Sequence, residues 1–65
     1  MQAEADYLRL SGEASVRAGD PAFDYALGIA ALDTGRFGEA IIALQRVLAV
    51  APANAAARAE LARAY

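Results

Sequence analysis

The sequence predicts an all-α fold, a set of antiparallel helical hairpins of about four helices, from three observations. Nineteen of the 65 residues are alanine, the strongest intrinsic helix former. No run alternates polar and apolar residues for long enough to propose a strand, so sheet is expected to be absent. Glycine and proline divide the chain into four segments, and the longer segments carry apolar residues at three- and four-residue spacing.

The first segment is expected over residues 3–18. Tyr7, Leu8, Leu10, Ala14 and Ala18 share one side of it, and Glu4, Asp6, Arg9, Glu13 and Arg17 occupy much of the rest. Glu13 and Arg17 stand four apart in the favourable order. Gly12 weakens this helix or marks a close crossing, and Gly19 is a natural C-terminal stop.

Asp20 caps the second segment, and Pro21 suits its first helical position, where a missing N–H costs nothing. This helix should run to about Thr34 and end at Gly35. The third opens near Phe37 or Gly38 and carries Ala40, Ile41, Leu44, Val47 and Leu48 along one face. Glu39 sits in its first turn, where the amide end favours negative charge. The helix must stop around Val50 or Ala51, because Pro52 would clash with the preceding turn. Asn54 then caps a fourth helix whose larger apolar residues are Leu61 and Tyr65. Loops of two to four residues force consecutive helices to lie antiparallel.

Composition narrows the function classes. A chain of 65 residues makes one small domain with a marginal core, and without cysteine it has no disulfide to reinforce it. Histidine is also absent, which removes the commonest neutral-pH acid–base group and transition-metal ligand. The EF-hand spacing of oxygen ligands does not occur, so neither metal nor another cofactor is expected. The net charge is -2, and the six arginines are scattered among eight carboxylates rather than gathered in a stripe. Nucleic acid is therefore not expected as a partner. Apolar runs such as residues 40–44, five residues at most, are far too short for membrane insertion. The opening MQAEADYLRL lacks the order of a secretory signal, which implies a cytoplasmic protein if Met1 is the natural start.

No catalytic constellation is expected. Ser11 and Ser15 share a helix face, but the chain holds no histidine or lysine to activate either. Asp20 and Asp24 are four apart, yet both fall at the start of one helix, where carboxylates cap and complement the dipole. The five glycines never form a phosphate-binding loop spacing.

Residues 21–54 resemble one complete tetratricopeptide repeat (TPR), a unit of about 34 residues built from two antiparallel helices. The resemblance rests on Leu27 and Gly28, the turn Gly35, then Phe37, Ala40, Leu44, Val47 and the closing Pro52. It implies that Gly28 and Ala40 form the close crossing of the hairpin. Residues 55–65 resemble the first helix of another repeat, with Leu61 and Ala62 in the roles of Leu27 and Gly28, and Tyr65 as an aromatic wedge. Residues 3–20 match a diverged second helix or an added cap; Glu13, where a small apolar residue is expected, favours the cap. Asp24 and Ala31 depart from the family pattern, which commonly has a large aromatic and a tyrosine there. The wording of residues 25–65 is also similar to repeats that precede outer-membrane barrels in bacterial surface-assembly proteins, which implies a periplasmic setting for an excerpt.

The resemblance implies protein or peptide binding on the surface lined by first helices. Here that surface would carry Tyr25, Ile29, Leu32 and Asp33, joined by Glu60 and Arg63. The lysine and asparagine clamp of chaperone-binding members is absent, since Tyr25 and Ile29 stand at those positions. Periodicity independently gives the second helix two apolar sides, with Leu27, Ala31 and Thr34 on one and Tyr25, Ile29 and Leu32 on the other. That second strip is either interaction surface or is covered by the N-terminal helix through Tyr7 and Leu10. The rival expectation is self-association, a homo-oligomer formed through Leu61, Ala62 and Tyr65 of the last helix.

Overall fold

The computed structural model describes residues 2–65, and within them the chain forms four α-helices and no strand. They are α1 (Gln2–Arg17), α2 (Pro21–Asp33), α3 (Phe37–Val50) and α4 (Ala55–Ala64), packed antiparallel in succession. α2 is the central element. It packs against α3 most extensively, against α1 on another side, and against α4 at its edge, while α4 also rests on α3.

The boundaries follow from local chemistry. Asp20 accepts a hydrogen bond from the Ala22 amide at 3.1 Å, and Pro21 opens α2. α2 ends in paired bonds from Gly35 N–H to the Leu32 carbonyl and from Arg36 N–H to the Ala31 carbonyl. This Schellman closure places Gly35 at φ 79°, a left-handed conformation that a side chain would strain. α3 stops before Pro52, and Asn54 accepts from the Ala57 amide at 3.0 Å to start α4.

The core is built mainly of leucine and alanine. Leu44, Val47, Ala31, Ala40 and Ala57 are fully enclosed, and Leu10, Tyr7, Phe23 and Leu27 close the core around them. Small residues let the helix axes approach, and the larger ones fill what remains. At the crossing of α2 and α3, Gly28 lies against Leu44, a contact that the expected pairing of Gly28 with Ala40 left out. A Cβ placed on Gly28 would lie 2.9 Å from Cγ of Leu44, one turn further along α3. Ala40 is buried without being the residue that Gly28 meets first. Replacing Ala40 by leucine should still overpack this interface and cost about 1 to 3 kcal/mol in a urea melt.

A polar network fastens α1 to the hairpin. The Arg36 guanidinium meets both carboxylate oxygens of Glu4, at 2.9 and 3.3 Å, and lies over the Tyr7 ring, 3.9 Å from its centroid. The Tyr7 hydroxyl donates to Glu39 in the first turn of α3. These bonds hold the Glu4 carboxyl below its ordinary pKa, chiefly through the hydrogen bond from Arg36, and raise that of Tyr7, chiefly through the bond to Glu39. A lowered carboxyl pKa contributes stability that is complete above the unfolded value, about 4.3, and lost as pH falls through the folded one. The Glu4→Gln variant should therefore melt below the wild type at pH 7, and the gap should close toward pH 3.

Candidate interaction surface

α2 is buried on most of its circumference, which makes its uncovered part informative. Phe23, Asp24, Leu27, Gly28, Ala30, Ala31 and Leu32 are buried, whereas Tyr25 and Ile29 are half-buried and Ala26 is exposed. α1 lies alongside this strip and buries its own Tyr7 and Leu10, yet does not close it. An open cleft of about 320 Å³ remains between the helices. Ala3, Asp6, Arg9 and Leu10 line it from α1, and Tyr25, Ala26, Ile29, Ala30 and Asp33 from α2. A neighbouring depression shares Ala3 and Asp33 and adds Glu4 and Thr34.

The residues expected to line a groove are thus distributed unevenly. Tyr25, Ile29 and Asp33 come together in the cleft. Leu32 does not: it belongs to the core at 8% exposure and offers no contact surface. Glu60 and Arg63 meet Asp33 across the edge where α4 approaches α2. Arg63 bonds Glu60 at 3.1 Å and reaches Asp33 at 3.7 Å, so the three form one charged cluster. At the far side of the cleft Arg9 lies 3.7 Å from Asp6, and both are substantially exposed. Exposed pairs of this kind contribute little to stability and are free to exchange partners.

On α4, Leu61 packs partly against the core, while Ala62 and Tyr65 are exposed, the latter at 81%. Ser11 and Ser15 are exposed on α1. Among the described residues no group of three or more carboxylates is placed to hold a metal ion, and no helix is long and apolar enough to cross a membrane.

Sequence reasoning missed one buried polar site. Asp24 is 1% exposed, accepts the Gly19 amide at 2.9 Å and receives Arg46 from α3 at 3.1 Å. It thus ties the turn between α1 and α2, the first turns of α2 and the middle of α3 together. The signal was present, because residues 24, 28 and 31 share one helical stripe. A carboxylate on a stripe otherwise made of Gly28 and Ala31 needs a partner from the facing helix. Comparison of the chain with protein-family models, with curated proteins and with solved structures finds no match to any of them.

Proposed function

We propose that this chain is a TPR-like protein-interaction module without catalytic activity, seating an apolar helix or extended segment along the cleft beside α2. The repeat reading is supported by the spacing of the helices: Pro21 and Ala55 open α2 and α4 at positions 34 apart, with one antiparallel partner between them. The observation that carries the binding reading is Tyr25 with Ile29. Both stay half-exposed in an open cleft on a helix whose other large apolar residues are covered.

In this reading Tyr25 and Ile29 are the apolar anchors. Asp33, Glu60 and Arg63 orient the ligand more than they tighten it. Tyrosine is the principal anchor, because it offers a large rigid contact and a hydroxyl satisfied at the edge. Fluorescence anisotropy against labelled amphipathic helical peptides and acidic-tailed peptides tests it. The apolar helices should bind in preference to the acidic tails, and Tyr25→Ala should weaken them by about tenfold or more with melting temperature and mass unchanged. Unfolding of Tyr25→Ala, or indifference to the kind of peptide, means that the strip is internal packing.

A further inference from the structure

The Tyr25 cleft joins apolar side chains to a charge imbalance at one end. Tyr25, Ile29 and Asp33 stand at successive four-residue steps on α2, so they follow one line along the helix. That line ends on the Asp33 carboxylate, about 6 Å beyond Ile29 along the axis. Asp33 is poorly neutralised where it stands. Its side chain is 48% exposed, and its partner Arg63 lies 3.7 Å away while bonding Glu60 at 3.1 Å, so one arginine serves two carboxylates. It also occupies the last turn of α2, which holds no basic residue and where the carbonyl end of the helix adds partial negative charge. Among the described residues the facing wall offers no surplus cation. Arg9 is divided between Asp6 and Glu13, and Arg36 is bound to both carboxylate oxygens of Glu4. Asp6 and Asp33 line the same cleft, and Glu4 and Asp33 line the depression beside it.

We propose that the cleft selects a segment of a partner protein that carries lysine or arginine just beyond its apolar anchors, with the cation seated on Asp33. This selectivity rests on the reading of the cleft as a binding surface, and it names the charge of the occupant. Spacing defines the segment further. On a helix laid along α2 the cation stands one turn from the nearest apolar anchor, and on an extended segment it stands two residues away. A ligand carboxylate at that position would meet Asp33, Asp6 and the carbonyl end of α2 together. Acidic segments are therefore rejected as well as basic ones favoured.

The probes are labelled, alanine-based helical peptides with two leucines one turn apart and lysine, glutamine or glutamate one turn beyond them. A second set places the variable residue one turn before the leucines, which covers both directions of docking. Binding to the intact chain is read by fluorescence anisotropy at low salt. In one set the lysine peptide should bind about tenfold more tightly than the glutamate version, with glutamine between them, and the gap should narrow as salt is raised. Asp33→Asn, a change at an exposed side chain, should cut the gap to about twofold or less with the melting temperature unchanged. The glutamine peptides separate this selectivity from the cleft reading. If they bind in a Tyr25-dependent way and lysine gains nothing, the selectivity is overturned and the cleft remains a binding surface. If no peptide of either set binds, both are overturned. A lysine preference that survives Asp33→Asn would overturn the selectivity. So would displacement of the lysine peptide by a concentration-dependent dimer in sedimentation, because a second copy would then fill the cleft.

Discussion

Replacing Leu44 by alanine is expected to lower the stability of the chain by about 3 kcal/mol, and urea unfolding followed by circular dichroism measures it. Leu44 is fully enclosed, and the residue facing it is Gly28, which has no side chain to move into the vacated space. A domain of this size has only a few kcal/mol of net stability, so the variant should be partly unfolded at 37 °C. A second substitution makes the prediction specific. Gly28→Ala alone should destabilise, because its Cβ would stand 2.9 Å from the Leu44 side chain. In the Leu44→Ala background the same change should stabilise, since the added methyl group enters the cavity. That reversal of sign is a coupling which only contacting residues produce.

Removing the Asp24 carboxylate should cost nearly as much, about 2 to 3 kcal/mol for Asp24→Ala. The change strands the Gly19 amide and leaves Arg46 without its partner. Because the Arg46 side chain is 38% exposed, it can turn toward water, which holds the loss below that of a fully buried pair. Arg46→Met should be comparably harmful for the opposite reason, leaving a carboxylate that is 1% exposed with the Gly19 amide as its remaining donor. Replacing both, Asp24→Leu with Arg46→Met, should recover most of the loss if the pair specifies the register of α2 on α3 more than it stabilises the fold. The melting temperatures of the four chains decide this.

Much of the architecture was legible because helix ends are written in short-range chemistry. Asp20 before Pro21, Gly35, Pro52 and Asn54 each act within a turn of themselves, and the helices begin and end where those residues require. What was not legible depends on how far one helix slides along its neighbour. Periodicity places Ala40, Leu44 and Val47 on one stripe, but not which of them faces Gly28, and the answer was Leu44. Leu32 shares a side with Tyr25 and Ile29 along the sequence, yet it lies far enough round α2 to be enclosed. The bond of Arg36 to Glu4 joins residues 32 positions apart, a separation that no local pattern encodes.

The most direct test of recognition along α2 is an NMR titration of the isotopically labelled chain with an amphipathic peptide that binds it. The expected result is a set of amide shifts confined to Tyr25, Ile29, Asp33 and the lining residues of α1, lost in Tyr25→Ala while the rest of the spectrum keeps its native dispersion. Shifts spread through the buried residues around Leu44 and Val47, or a Tyr25→Ala spectrum that has collapsed without peptide, would contradict it.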